Sequence, residues 1–290
     1  MSGNSNKTIA FNYFGGKFTW VEHIYANFPP PNKFVHLVDL FAGSMVVSLN
    51  YRGRVIRTAN EINGEITNFF VQLRDHEEEL LRALRLTPYS EQEYIDSWIF
   101  EGEHLTDLER ARRFYVRVRQ SFFGLGAQRQ NKGWHMAKQH VNAQGGESVS
   151  RWKNGVEKLH AVAAEIRDNF QIVNTDYMTA INRIDNPGAF FYCDPPYPLE
   201  CRNSKNDYLF EFTDEQHRQL ADRLHRIEGL AMVSGYDCPL MNELYGNWRK
   251  VKFPFKRNNI RSNIKNGSGT IMQECIWMNY EPTIQTQKLF

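Results

Sequence analysis

Asp194-Pro195-Pro196-Tyr197 follows directly on the apolar run Ala189-Phe190-Phe191-Tyr192-Cys193, which reads as a buried strand. A carboxylate and two prolines therefore fall just past a strand's carboxyl end, where open α/β sheets build their sites. Consecutive prolines fix φ and remove two backbone donors, so the carbonyls there stay free to accept hydrogen bonds from a ligand. With the flat face of Tyr197 beside them, these groups suit one task, the grip of an exocyclic amine on a planar base. A plain acidic strand end with a proline turn has the same outline. The rest of the chain has to choose between the two.

Three further segments carry candidate chemistry. Asp39-Leu40-Phe41-Ala42-Gly43-Ser44 ends an apolar strand and opens a helix, as a loop does that lets a ligand approach the backbone near a helix amino terminus. About twenty residues on, Glu61 closes the next strand, where an acidic side chain can take both hydroxyls of a ribose. An ordinary charged residue in a strand-to-helix loop would look alike, but the spacing of the pair points to an adenosine-containing cofactor. Thr175-Asp176-Tyr177 repeats the pattern with an acid and an aromatic able to bracket an adenine ring. Near the start, Phe11-Asn12-Tyr13-Phe14-Gly15-Gly16-Lys17 joins aromatics to two flexible glycines and a lysine. Gly15 and Gly16 permit close backbone contact, and Tyr13 and Lys17 can reach an amino-acid carboxylate, although a flexible amino-terminal turn accounts for the same residues.

The elements that must hold these residues are legible in outline. Residues 34 to 72 read strand, glycine turn, helix, strand, helix, with strands at 34–41 and 55–60 and helices at 45–51 and from 62 onward. From about Asp75 to Arg167 the period becomes helical and charged, a glycine- and glutamine-rich stretch at 124–146 reads as loop or hairpin, and a helix is expected over 156–169. Strand signals resume at 170–173, 189–193, 230–234 and 274–278, and Thr213-Asp214-Glu215-Gln216 is a capping sequence for a helix that runs to about Glu228. The order predicts a doubly wound, mostly parallel α/β domain in two parts, 1–74 and 169–290, interrupted by an inserted, mainly helical module at 75–168.

Composition agrees with a globular chain. Its 290 residues are 41% hydrophobic and 13% aromatic, enough for a sizeable core. Net charge is only +2, yet eight Arg and Lys fall between Arg110 and Gly146 with no acid, and a second acid-free run holds Arg249, Lys250, Lys252, Lys256, Arg257, Arg261 and Lys265. Interleaved aromatics, among them Phe122, Phe123, Trp134 and Phe255, make the two runs read as a nucleic-acid surface, while a solvated basic face explains either run alone. The four cysteines, Cys193, Cys201, Cys238 and Cys275, have no paired spacing and read as buried thiols, with no metal site expected. Neither a signal core nor a membrane-length apolar run is present, so the expectation is a soluble, cytoplasmic protein with no membrane partner.

Tyr-Phe-Gly-Gly-Lys, then Phe-Ala-Gly-Ser, then a basic insertion, then Asp-Pro-Pro-Tyr resembles the Dam-like (D12 class) adenine-specific DNA methyltransferases, in the family's order and over nearly the whole chain. The resemblance implies a seven-stranded sheet, S-adenosyl-L-methionine as cofactor and an adenine-containing DNA site as substrate. It puts Tyr13, Lys17, Glu61 and Asp194 on the cofactor, with Phe41, Gly43 and Asp176 lining its pocket. Gly15, Gly16, Asp39 and Tyr177 complete the cofactor candidates, and Asp194, Pro195, Pro196 and Tyr197 are the catalytic ones. Arg117 to Leu125 resembles the start of the family's target-recognition segment, and Arg117, Arg119, Arg129, Lys132, Trp134, Lys138, Lys256, Arg257 and Arg261 are the candidate DNA contacts. One departure stands out: the family has a second glycine two residues after Gly43, and this chain has Met45, a side chain able to crowd the cofactor's methionine moiety. Cytosine's exocyclic amine as acceptor, and a DNA-binding module that has lost its donor, are the rival readings. The recognition sequence and a cognate restriction endonuclease are not legible.

Overall fold

A computed structural model describes residues 7–13, 15–99, 104–121, 133–138, 141–142, 145–201, 209–254 and 273–282. Along the chain these form α1 (Val21–Tyr25), β1 (His36–Asp39), α2 (Val46–Asn50), β2 (Ile56–Asn60), α3 (Gly64–Asp75), α4 (Glu77–Leu86), α5 (Glu91–Asp96) and α6 (Asp107–Gln120). They continue with β3 (Val141–Asn142), β4 (Gly145–Gly146), α7 (Glu147–Asn169), β5 (Phe170–Val173), α8 (Tyr177–Ile184) and β6 (Ala189–Cys193). The last are α9 (Asp214–Leu224), β7 (Leu230–Tyr236), α10 (Pro239–Leu244), β8 (Arg249–Lys252) and β9 (Glu274–Met278).

Among the described residues seven strands make one sheet in the order β5-β2-β1-β6-β7-β9-β8. β2, β1, β6 and β7 pair in parallel, and β9 runs antiparallel to both β7 and β8. The mostly parallel, seven-stranded α/β sheet expected from the sequence is therefore what the chain forms. Every residue of β6 is buried, which is why it reads as an unbroken apolar run and not as an alternation. Strand order reverses between β1 and β6, and the carboxyl ends of that pair, at Asp39 and Cys193, define the switch point where open sheets take ligands.

By its internal contacts the chain divides into two compact units. The first comprises Met1–Phe18, Ala42–Asn50 and Glu61–Asn174. In it α3 and α6 pack face to face around an aromatic cluster: Phe69 stacks on Tyr115 at 5.4 Å, and Phe11 meets Phe69, Phe70 and Phe114 at 5.4–5.6 Å. Local chemistry starts its helices. The side chains of Asn63, Ser90 and Thr106 accept the backbone N–H of Glu65, Glu93 and Glu109 and cap α3, α5 and α6. α7 begins at Glu147, nine residues before the expected start at 156. Gly155 lies in its interior, where an added Cβ would stand 2.5 Å from the Arg119 guanidinium, so this glycine is a close-approach residue and not a helix boundary.

The second unit comprises Thr19–Phe41, Tyr51–Asn60 and Thr175–Phe290. Its core gathers Val38, Phe191, Ala231, Val233 and Trp277 from the sheet with Ile181, Leu220 and Leu224 from α8 and α9. The capping box foreseen at Thr213 is formed, Thr213 and Gln216 each accepting the other's backbone N–H. Among the described residues no helix is long and apolar enough to cross a membrane.

Candidate active site

In the first unit the amino-terminal glycines make a tight turn. Gly16 N–H donates to the Tyr13 carbonyl at 2.9 Å, and Gly15 has φ +74°, the left-handed conformation that such turns require at their third position. Lys17 is buried, with its ammonium donating to the Gly15 carbonyl at 2.8 Å. The ring of Tyr13 lies against Gly43: a Cβ added there would be 3.0 Å from two of its carbons, and Gly43 itself has φ +50°. Two independent constraints, the left-handed backbone and the ring contact, demand glycine at this position. Glu61 closes the arrangement, accepting the Gly43 N–H on Oε2 at 2.7 Å and the Asn63 N–H on Oε1 at 2.9 Å. Enclosure raises the pKa of this carboxyl above its ordinary value, and the N–H groups of Asn63, Gly43 and Ile62 oppose the rise. Tyr13, Gly15, Gly16, Lys17, Gly43 and Glu61, spread over nearly fifty residues of sequence, are thus brought together.

Met45 closes the same glycine turn, its N–H donating to the Ala42 carbonyl at 2.6 Å. Its φ is +57°, the one left-handed non-glycine residue among those described. The backbone keeps the conformation that a glycine would take while the side chain is only 1% exposed. Its side chain is thus packed inside the protein.

In the second unit Asp39 ends β1 and Asp194 follows β6, so two carboxylates leave neighbouring parallel strands at the switch point. Asp39 is buried and Asp194 half-buried. Tyr197 is 6% exposed; its hydroxyl donates to Glu274 Oε1 at 2.9 Å, and its ring meets the edge of Tyr236 at 4.6 Å. Burial drives the Tyr197 phenol far above its ordinary pKa, with Glu274 and Asp194 adding to the effect, so it remains a neutral donor. Phe41 stacks on Tyr177 at 5.8 Å, and Phe212 presents its edge to both at 5.6 and 5.2 Å. Asp176 caps α8, accepting the Thr179 N–H at 2.9 Å, which lowers its pKa and leaves its remaining lone pairs exposed.

The basic run does not present itself as expected. Arg110 pairs with Glu65 and Asp107, Arg112 with Glu109 and Glu93, Arg113 with Glu109, and Arg117 with Glu65. A segment free of acids in sequence is matched in space by acids from α3 and α5 and from the first turn of α6. Arg117 is corrected as a DNA contact: it is 3% exposed, donates to the Ser97 carbonyl at 2.6 Å and to Glu65 at 3.0 Å, and burial lowers its pKa to about 10. Arg119 is half-buried and donates to the Arg151 carbonyl at 2.6 Å. Trp134 donates to the Gln120 side chain at 3.2 Å and packs on Tyr89, and Lys138 is exposed. In the second run Arg249 pairs with Glu281, and Lys250 and Lys252 with Asp237. Arg129, Lys132, Lys256, Arg257, Arg261 and Lys265, together with Phe255 and residues 122–125, lie outside the described residues.

Sequence reasoning missed Glu274, Tyr236 and Glu65. Glu274 opens the apolar run of β9, and its register partner on β7 is Tyr236; no spacing in the chain links either to position 197. All four cysteines are free, buried thiols as expected, and the fold adds what no spacing announced, the side-by-side placement of Cys201 and Cys238.

Comparison with known proteins agrees with this geometry. A sequence model of the family described as D12 class N6 adenine-specific DNA methyltransferase matches residues 13–260. A curated relative, Type II methyltransferase M1.LlaDCHI of Lactococcus lactis subsp. cremoris, is 28% identical over 286 residues, covering 92% of this chain and 93% of its own length.

Proposed function

Since the chain belongs to the D12 class of N6 adenine-specific DNA methyltransferases, we propose that Asp194 and the Pro195 carbonyl are the groups that accept the two amine protons of a target adenine in DNA. The observation that carries this reading is the delivery of Asp194 by β6 to the switch point beside β1, immediately before Pro195, whose carbonyl lies past the end of the strand. An adenine in a duplex cannot reach such a group from the stack, so it is flipped out. Both acceptors then draw the amine lone pair out of conjugation with the ring and aim it at the methyl carbon. The nitrogen gains the methyl group and releases one proton. Asp194 steadies the positive charge that develops on nitrogen meanwhile, an electrostatic and positional form of catalysis with no covalent enzyme intermediate. Tyr197 supplies the stacking face, and Glu274 and Tyr236 fix its orientation. At 6% exposure, the face opens to a base only when what lies over it moves aside.

The family takes its methyl group from S-adenosylmethionine, whose sulfonium supplies an electrophilic methyl carbon. Each unit holds groups whose chemistry fits a part of that molecule. In the first, buried Lys17 beside the Gly15–Gly16 turn offers a cation for a carboxylate and Glu61 offers acceptors for ribose hydroxyls. In the second, the Phe41–Tyr177 pair with Asp176 offers an aromatic face and an acceptor suited to adenine. The left-handed turn at Gly43 lets the backbone come close to such a ligand. Residues 75–168 are assigned to target recognition, with α6, whose Arg119 is tied to the Arg151 carbonyl, as inner support and Trp134, Lys138, Arg129 and Lys132 toward DNA. Lys256, Arg257 and Arg261 are assigned to the phosphates. By analogy with the relative described as a Type II methyltransferase, the methylation falls at a defined sequence.

The test is incubation of the protein with labelled S-adenosylmethionine and unmethylated DNA, followed by nucleoside analysis. N6-methyladenine at a fixed sequence, abolished by Asp194→Ala, is the expected result. Methylcytosine, or methyladenine that survives Asp194→Ala, overturns the assignment.

A further inference from the structure

Cys201, four residues beyond Tyr197, and Cys238, which precedes α10, play no part in methyl transfer. Their sulfurs and a carboxylate oxygen of Glu200 all lie within 4.8 Å of one another. Both thiols are buried, at 0% and 3% exposure, and the two hydrogen-bond to each other. Glu200 is exposed, and the Leu240 N–H at the start of α10 donates to its Oε1 at 3.3 Å. Glu200 and Cys201 are adjacent but Cys238 lies 37 residues on, so no spacing marks the three as a ligand set.

We propose that Cys201, Cys238 and Glu200 form a binding site for a thiophilic divalent cation, with zinc the natural occupant. Tetrahedral zinc with sulfur at about 2.3 Å and oxygen at about 2.1 Å sets its ligands roughly 3.6–3.8 Å apart. From separations of up to 4.8 Å the three donors therefore need to close by roughly 1.2 Å at most, which rotation of two cysteine side chains and one flexible glutamate can supply. Two sulfur donors select a soft or borderline cation over magnesium or calcium, which prefer all-oxygen sites. Charge also balances. With neutral thiols and an ionised carboxylate the site carries one negative charge; a dication bound to two thiolates and the carboxylate leaves the same charge, the two thiol protons passing to solvent. Burial of the sulfurs thus imposes no extra net charge on the loaded form. The exposed Glu200 side gives the ion its entry, and water completes the fourth position. An ion held there clips the turn that follows the catalytic tetrapeptide to the start of α10.

The test uses the full chain, reduced and freed of metal with a chelator, and titrated with cobalt(II) and then zinc. A near-ultraviolet thiolate-to-cobalt band of two-thiolate intensity is expected at one equivalent, bleached by zinc. Cys201→Ser and Cys238→Ser should each halve the band or remove it. Because a buried cysteine variant can lose its fold, Glu200→Gln provides the second measurement: this exposed change should leave the circular dichroism spectrum intact and weaken cobalt binding about tenfold or more. A titration without a thiolate band overturns the proposal. So does a band indifferent to Cys201→Ser, Cys238→Ser and Glu200→Gln, or cobalt affinity unchanged in Glu200→Gln.

Discussion

Replacing Met45 sets two effects of opposite sign against each other. A left-handed φ of +57° costs a non-glycine residue about 1–2 kcal/mol, which Met45→Gly removes. Against that, the side chain is 1% exposed, and deleting a buried methionine costs about 2–5 kcal/mol, with the flexible thioether and partial collapse favouring the lower half. Glycine also gains freedom in the unfolded chain, worth about 0.4–1 kcal/mol against the fold. Burial wins, and Met45→Gly is expected to lose about 1–3 kcal/mol. Met45→Ala keeps the strained backbone and loses the side chain, so it should fall below the glycine variant by roughly 1 kcal/mol. Urea unfolding followed by tryptophan fluorescence, read at constant m-value, gives both numbers. An alanine variant as stable as the glycine variant would refute the strain, and a glycine variant as stable as the parent would refute the burial. Since the side chain is packed away, S-adenosylmethionine affinity should change less than about threefold once the variant is folded, as expected of a residue outside the binding contacts. A tenfold tightening in Met45→Gly would restore the crowding argument.

Three other outcomes follow from the same geometry. Glu61 has a raised folded-state pKa, so its contribution to stability is full below about pH 4.5 and lost as pH rises through the higher folded value, whereas ribose hydroxyls are accepted by the ionised form. Donor affinity measured by calorimetry should therefore rise from pH 4.5 toward 7 in the parent and stay flat in Glu61→Gln; parallel curves would remove Glu61 from the ribose. Tyr197→Phe keeps the stacking ring and loses only the Glu274 hydrogen bond, so turnover should fall about tenfold or less while 2-aminopurine at the target still brightens on binding; Tyr197→Ala should lose both signals. Arg117→Met breaks an inward ion pair with Glu65, which Arg110 also serves, and should cost about 2–4 kcal/mol in urea without altering the salt dependence of DNA binding. A slope of log Kd against log salt smaller by about one unit would put Arg117 on a phosphate after all.

How far the chain is legible depends on where each constraint originates. β6 and β9 were bounded to the residue because a strand buried on both faces is apolar nearly throughout and must stop where the chain turns polar or reaches proline; β5 was bounded as well, although it is an edge strand with Gln171 exposed. The capping box at Thr213 was equally plain, being made by residues three apart. Glycine gave mixed guidance. Gly43 marked a true left-handed turn, but the helix expected from 156 starts at Glu147, with Gly155 inside it to admit Arg119, a contact made from outside the helix. Met45 inverts the same lesson, holding a glycine conformation that its own type does not announce. Glu274 and the pair Cys201 and Cys238 were invisible for a different reason: each is joined to its partners only by tertiary folding, and no period or spacing encodes that.

The charge pattern carries the same reasoning to DNA. A linear count treats eight cations in an acid-free stretch as a field that a polyanion would feel. On α6, however, guanidinium groups at 110, 112, 113 and 117 face carboxylates at 65, 93, 107 and 109, and each pair cancels most of its charge within a few ångströms. At physiological salt a polyanion responds only to charge left unbalanced within about 8 Å of its surface. α6 therefore acts as a rigid beam: its aromatic face packs on α3, its arginines lock α5 and the α3 acid in place, and its carboxyl end at Gln120 is tied to Trp134 and His135. Positive charge that reaches DNA must then come from residues beyond that beam, and of the first run's described cations Lys138 is the exposed one. The resulting expectation is a shallow contribution of α6 to the salt slope and a steep one from Lys138, Lys256, Arg257 and Arg261. Alanine at each of those four should lower the slope of log Kd against log salt by about 0.9, and an α6 substitution that did the same would show that the beam itself lies on the DNA.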